Sequence, residues 1–418
     1  MKNYLRMKQS LYKKPWYPWM LVALLWVVAF LNYLDRILIT TMRDPIVGEF
    51  SLTDAQFGLL TSVFLWSYGI LSPFGGFLAD RYSRKKVIIF SVAVWSLATV
   101  WTGYVSSFEE MLAARIVMGV SEAFYIPAGL ALITDYHTGK TRSLATGIHF
   151  SGLYAGLALG GVGGYIAELW GWRYGFHVFG LFGCAYAIIL LLLLGDREKE
   201  NNAGTEEITA TGVQPIQLRS SIRSLIGERS YLLLLVYFVV FGIANWLIYA
   251  WLPTFLRDQF SLGLGDAGIS ATLYPQIGSF IGVLLGGIWA DRWFKKNPRS
   301  RILVIVIGFT VGVPFLILMS WTSLFLTAIV ALFIFGMARG FSDANLMPII
   351  RQIVDSRYVA TAYGFLNFLS TIAGGLMVYL GGALKDANIN LSLIYVAAAG
   401  LLLLATWSLL LIKVKKES

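Results

Sequence analysis

Twelve stretches of the chain are each near or above the ~20 apolar residues a helix needs to cross the hydrocarbon of a bilayer. They cover residues 16–41, 56–79, 86–106, 109–135, 141–168 and 172–195, then 230–257, 265–291, 301–320, 323–353, 358–386 and 390–413. No other feature restricts the fold as strongly, because in hydrocarbon the polar backbone must be bonded inside its own segment, as a helix does. The predicted fold is an all-α integral membrane protein of twelve transmembrane helices. Composition agrees: 57% of the 418 residues are hydrophobic and only 13% are charged, whereas soluble domains carry about 25% charged residues.

Charge placement sets the expected orientation. Lys2, Arg6, Lys8, Lys13 and Lys14 precede the first span with no small-residue cleavage site, which reads as a retained cytoplasmic start and not a signal peptide. Arg81, Arg84, Lys85 and Lys86, then Lys140 and Arg142, then Lys295, Lys296, Arg299 and Arg301, and finally Lys413, Lys415 and Lys416 fall on the same side. The positive-inside rule makes both termini cytoplasmic, in a bacterial inner (plasma) membrane. The net charge of +10 is thus spent on topology and anionic lipid headgroups, and nucleic acid is not an expected partner. Cys184, the single cysteine, lies in the sixth span and forms no intramolecular disulfide. The chain is expected to be a monomer.

Residues 196–229 are polar and charged, and read as a cytoplasmic linker between an N-terminal six-helix bundle (1–195) and a C-terminal one (230–418). The two bundles repeat one another. GGFLADRYSRKK, from Gly75, is echoed by GGIWADRWFKKN, from Gly286. GVSEAFYIP, Gly119 to Pro127, is echoed by GFSDANLMP, Gly340 to Pro348, where the glycine, serine, alanine and proline coincide and Asp343 stands for Glu122. RSLATG from Arg142 matches RYVATA from Arg357 more weakly. The three echoes keep their order, at offsets of 211, 221 and 215 residues, as a duplication of six helices requires. Parallel repeats with a midplane site at their interface describe a transporter that works by rocking two bundles.

On these motifs the whole chain resembles the major facilitator superfamily, whose loop two-three signature GGFLADRYSRKK is similar to. Glycines such as Gly75 and Gly76 let helices approach closely, and Asp80 at a helix end can accept bonds from Arg81, Arg84 or a neighbouring helix terminus. With Asp291 and Arg292 in the repeat, these residues are expected to latch one conformation closed on the cytoplasmic side.

Ionisable groups at membrane depth are costly and by default mark a pathway or a proton relay. Well inside the spans lie Asp35 and Arg36 in span one, Arg115 and Glu122 in span four, and Arg339 and Asp343 in span ten. Asp35 and Arg36 point about 100° apart on a helix, so each needs a partner elsewhere. Arg115 and Glu122 are two turns apart and share a face. In the resembled fold spans one and four are neighbours, which makes Asp35 with Arg115 the economical pairing and leaves Arg36 and Glu122 to substrate and proton. Arg339 and Asp343, one turn apart, are expected to form an ion pair on their own helix.

NYLDR (32–36), ARIVMGVSEAFYIP in span four and YAWLPTFL (249–256) resemble, more narrowly, the anion:cation symporter family, which takes up organic anions such as sugar acids with protons. The resemblance implies that Asp35 and Glu122 titrate, that Arg36 receives the substrate carboxylate, and that Arg115 is the partner that releases Asp35. Spinster-type lysolipid transporters have a similar Asp-Arg pair and Gly-x-x-Glu-Ala segment, so a lysophospholipid is the alternative cargo. Physically, an arginine fork suits carboxylate or phosphate, and a carboxyl in a low-dielectric cavity can exchange a proton near neutral pH.

Aligning the repeats places NWLIY (245–249) against NYLDR, so the charges of span one become Ile248 and Tyr249. The C-terminal half offers neutral hydrogen-bonding groups instead: Asn245, Tyr249, Tyr274, Gln276, Asn345 and Asn367, with His149 and Tyr154 added from span five. Such groups suit sugar hydroxyls. The glycines of GLYAGLALGGVGGY, from Gly152, are expected to permit close helix contact. No nucleophile–base pair, metal-ligand cluster or phosphate loop appears, so neither an enzyme nor a cofactor is expected beyond the proton as coupling ion.

Overall fold

The computed structural model describes residues 14–137, 141–195, 224–355 and 358–414. Within them the helices are α1 (Tyr17–Thr41), α2 (Arg43–Phe50), α3 (Asp54–Arg81), α4 (Arg84–Thr102), α5 (Phe108–Glu122), α6 (Tyr125–Tyr136), α7 (Arg142–Leu159), α8 (Val162–Trp170) and α9 (Trp172–Leu193). The second half supplies α10 (Arg229–Phe260), α11 (Leu264–Phe294), α12 (Ser300–Trp321), α13 (Phe325–Ile353), α14 (Val359–Asp386) and α15 (Leu391–Ser408). Eleven helices, with Phe108–Tyr136 taken as one, are long and apolar enough to cross a membrane. The pair α7–α8, bent by 41°, makes a twelfth span if it crosses as one. The expected all-α, twelve-span fold is therefore present. Most of the linker assigned to 196–229 lies outside the described residues.

Polar residues in short connections start the helices. Thr53 caps α3 in a reciprocal box with Gln56, Ser83 accepts from the Lys86 amide at the head of α4, Ser107 from the Glu110 amide at the head of α5, and Asn390 from the Ser392 amide at the head of α15. α1 and α10 have their starts, and α9 and α15 their ends, at one face, called here the terminal face; α1 ends at the opposite, far face.

Between apolar helices in lipid, van der Waals contact and interhelical hydrogen bonds supply the attraction, so close approach matters. Span five shows this at two glycines. A Cβ on Gly156 would lie 2.2 Å from the Phe30 carbonyl of α1, and one on Gly164 would lie 2.1 Å from the Leu264 carbonyl of α11. The first contact binds α7 into its own half and the second joins the halves, as the glycine run led us to expect. Beside Gly164, Tyr165 OH donates to Asp266 at 2.5 Å, Glu168 accepts from the Leu264 amide, and Thr272 OH donates to the Ala158 carbonyl at 2.8 Å.

The halves also meet along α3 and α14. Ser62 donates to the Gly375 carbonyl at 2.6 Å, Trp66 to the Ile372 carbonyl at 3.2 Å, and Gly69 packs on Thr371 and Ile372. At the far end of this seam both oxygens of Asp386 accept from the first amides of α3, Asp54 and Ala55, at 2.8 Å each, while Lys385 bonds the Asp54 carboxylate at 2.9 Å. Arg43 bonds Asp44 and Asp54, and Arg257 of α10 pairs with Asp44. These charges therefore tie the halves together at the far face. Towards the terminal face, Phe74 of α3 and Tyr363 of α14 are exposed instead of packed together.

Of the expected cytoplasmic latch, Gly76 and the Asp80 side chain lie outside the described residues. Arg84 is bonded to Asp135 at the end of α6, and Asp291 faces Arg301 at 3.6 Å, so both pairs lie within one half. Arg292 is exposed, while Arg81 ends α3.

Gly164→Leu should force the far-face seam apart, because the α11 backbone leaves no room for a side chain. Spin labels on Trp170 and Gln259, at the far ends of opposite halves, should report a longer and broader distance distribution. An unchanged distribution would show that this close approach does not hold the seam.

Candidate functional site

Four of the six intramembrane charges, Asp35, Arg36, Arg115 and Glu122, come together on the wall formed by α1, α3, α4 and α5. Asn32, Asp35, Arg36, Arg115 and Glu122 are all at most 3% exposed. Arg36 and Glu122 form the central contact, Nε to Oε2 at 2.8 Å, and Arg36 Nη2 also donates to Asn32 Oδ1 at 3.0 Å. One helical turn separates Asn32 from Arg36, which lets the amide orient the guanidinium. Tyr33, Tyr68 and Phe64 surround the guanidinium carbon at 4.5, 4.3 and 5.3 Å from their ring centroids. Electron-rich ring faces help hold a cation that has left water.

Here the structure corrects the expected pairing. Arg36 and Glu122 hold each other, and Asp35 is not bonded to Arg115. Asp35 Oδ2 accepts one long bond from Thr99 at 3.4 Å, and its Oδ1 has no hydrogen bond. Arg115 instead donates Nε to the Leu60 carbonyl at 3.3 Å and Nη1 to Met118 sulfur at 3.2 Å, and lies 4.7 Å over Phe64. The reason is reach. Asp35 turns towards α4, while the longer Arg36 extends across to the end of α5. Phe64 then lies between the two arginines.

The C-terminal half contributes a second cluster. Gln276 donates to the Tyr249 hydroxyl and accepts from Arg339 Nη1 at 3.3 Å, and the Arg339 guanidinium lies 5.0 Å over the Tyr249 ring. Arg339 and Asp343 form the expected ion pair on α13, at 3.7 Å. Tyr154, from the other half, donates to Asp343 at 3.2 Å. Tyr33 packs against the cluster of Ile37, Leu157 and Tyr249, so the two polar groups are joined through aromatic rings.

Several expected contacts are elsewhere. His149 is fully buried within the N-terminal half and shares a 2.8 Å bond with Tyr125, whose hydroxyl donates to the Leu25 carbonyl. That ties α1, α6 and α7 together and does not place His149 on the wall between the halves. Asn345 donates to Phe341 and Gly286 carbonyls at 2.9 and 3.5 Å, a packing role between α13 and α11. Asn245, Tyr274 and Asn367 are half-buried, without a side-chain hydrogen bond among the described residues. Residues not singled out from the sequence are Asn32, Tyr33, Phe64, Tyr68 and Thr99. Phe64 and Tyr68, four apart, carried a helical-face signal; nothing marked Thr99.

The sequence matches the Major Facilitator Superfamily over residues 25–378. It is 26% identical over 392 residues to the probable sulfoacetate transporter of Cupriavidus necator, with 92% of this chain and 91% of that protein covered. It is also 26% identical to the probable galactarate/D-glucarate transporter of Escherichia coli strain K12, covering 92% of each. A solved bacterial homologue of the human lysosomal transporter Spinster, in an inward-facing and occupied conformation, superposes with a TM-score of 0.80 at 22% identity, covering 96% of this chain and 97% of that one.

Thermal unfolding in detergent checks the pairing. Glu122→Ala should cost about 3 kcal/mol or more, because it leaves Arg36 buried without a counter-ion. Arg36→Met combined with Glu122→Leu should recover much of that loss, the coupling expected of directly bonded partners. With its carboxyl protonated, Asp35→Asn should change stability by less than about 1 kcal/mol, since one long bond is then all it alters. A large loss there would restore an ion pair with Arg115.

Proposed function

Because the chain belongs to the Major Facilitator Superfamily, it is a multi-pass membrane transporter and not an enzyme, and we propose that it carries a small organic anion of the sugar-acid kind together with protons. The observation that carries this reading is the buried Arg36–Glu122 pair. While Glu122 is ionised it fills the Arg36 fork. A proton on Glu122 removes the charge that competes for Arg36, and a substrate carboxylate takes the vacated place. Anion and proton therefore arrive together, because each makes room for the other. Asp35, a buried carboxyl without an ion-pair partner among the described residues, is the second proton carrier in this scheme.

Coupling also needs a charged empty site that reorients slowly. A paired Arg36 and Glu122 hold α1 to α5 inside one half, whereas a bound anion, touched from the other half as well, favours closure around it. The hydroxyl and amide of Tyr249 and Gln276 are the groups of the C-terminal half that would meet the substrate's hydroxyls. The relatives support the class. Galactarate and D-glucarate are sugar acids, and sulfoacetate is a small organic anion. With the basic clusters on the cytoplasmic side of a bacterial inner membrane, the terminal face is cytoplasmic and the far-face seam lies towards the outside. An inward proton gradient across that membrane would then drive import.

Reconstituted vesicles test the reading. An inward proton gradient should drive accumulation of a labelled sugar acid, Arg36→Ala should abolish binding, and Glu122→Gln should lose accumulation while retaining exchange. Full gradient-driven accumulation by Glu122→Gln would sink the scheme. A thermal-shift panel of sugar acids, sulfonates, phosphates and a lysophospholipid identifies the cargo, because a specific ligand stabilises the fold by mass action. Stabilisation by the lysophospholipid alone would transfer the chain to the Spinster-type reading, a class represented by the Drosophila melanogaster Spinster protein, 26% identical over 384 residues, of which this chain covers 62%.

A further inference from the structure

The mechanism just given uses one arginine, yet the wall opposite holds another. Arg339 belongs to the C-terminal half and Arg36 to the N-terminal half, and both lean on tyrosines that pack into one cluster: Arg36 at 4.5 Å from the Tyr33 ring and Arg339 at 5.0 Å from Tyr249. Two forks thus flank one aromatic floor from opposite halves.

Their carboxylate partners differ in a telling way. Arg36 holds Glu122 at 2.8 Å with both side chains at most 2% exposed. Arg339 holds Asp343 at 3.7 Å, its Nε makes no hydrogen bond, and the two side chains are 14% and 29% exposed. The second pair is loose and wetter. Asp343 also has a separate donor, the Tyr154 hydroxyl at 3.2 Å, so releasing Arg339 would not strand it. Arg339 itself keeps its plane through Gln276 and the Tyr249 ring, while its buried Nε faces Asp343 without a hydrogen bond. A guanidinium fixed on one edge and only loosely paired on the other can exchange that partner for a planar anion.

Resting on the symport reading above, we propose that the substrate carries an acidic group at each end, the first received by Arg36 and the second by Arg339. Each half then contributes one arginine to the same molecule. A substrate bound only by Arg36 touches one half with charge, whereas a dianion draws both halves onto itself. The loose Arg339–Asp343 pair is the resting state of the second receptor, and the Tyr154 bond keeps Asp343 aside when the anion displaces it.

D-Glucarate and D-gluconate test this directly, since they differ only in whether C6 is a carboxylate or a hydroxymethyl group. Binding is measured by titration of the detergent-purified full chain. Wild type should bind glucarate at least about tenfold more tightly than gluconate, the worth of one charge-assisted contact. Arg339→Gln should collapse that preference, losing about tenfold more for the diacid than for the monoacid, and Arg339→Lys should lose less. Asp343→Asn should move the other way and raise glucarate affinity, because it removes the competing charge and leaves an amide to bond Tyr154. A merely structural ion pair would weaken both acids together in all three variants, and that result overturns the proposal. Equal wild-type affinity for the two acids overturns it as well while leaving the symport reading intact. Failure of wild type to bind any sugar acid, monoacid or diacid, overturns that reading and this one together. If Arg339→Gln does not purify as a single species, Arg339→Lys and Asp343→Asn decide the matter by their opposite effects on the preference.

Discussion

The Arg36–Glu122 contact organises the N-terminal half. A charge in low-dielectric surroundings costs least when a counter-charge and hydrogen bonds meet it at close range. Meeting those terms requires α1 to present Arg36 and Asn32 on one face and α5 to end where Glu122 can reach. It also requires α3 to bring Phe64 and Tyr68 against the guanidinium. Arg115 shares Phe64 and takes its bonds from α3 backbone and a methionine, so two like charges coexist by having an aromatic ring between them. Any helix of this wall that shifts strands a buried ion.

The opposite wall is built on weaker terms. Its one carboxylate is shared between Arg339 on the same helix and Tyr154 across the interface, and its amide, Gln276, bridges a phenol and a guanidinium. Each of these ions keeps a neutral hydrogen-bonding partner when the pair loosens. A tight half facing an adaptable half suits a machine in which one surface holds its cargo and the other closes over it.

The spans were legible because hydropathy is local: a run of apolar residues reports a helix whatever its neighbours do. The duplication was legible for the same reason, as was the Arg339–Asp343 pair, whose one-turn spacing is a property of a single helix. The partner of Asp35 was not, since it depends on how α1 is rotated against α4 and α5 and on the different lengths of aspartate and arginine side chains. His149 and Asn345 look like cavity groups in sequence, yet they bond a tyrosine and two backbone carbonyls inside their own halves. The far-face charges left a trace that was passed over. Arg43, Arg257 and Lys385 lie at the end where basic residues are not expected by charge bias, which is a reason to look for acids beside them.

The cap that Asp386 places on α3 joins a helix dipole in one half to a carboxylate in the other. When the halves part, two amides and several charged side chains pass from each other to water, so the seam gives way to hydration and not to lipid. Attractions of this kind weaken as the Debye length shortens, from about 10 Å at 0.1 M salt to about 3 Å at 1 M. The far-face seam is therefore expected to loosen as the ionic strength of the compartment that bathes it rises, independently of any solute gradient across the membrane.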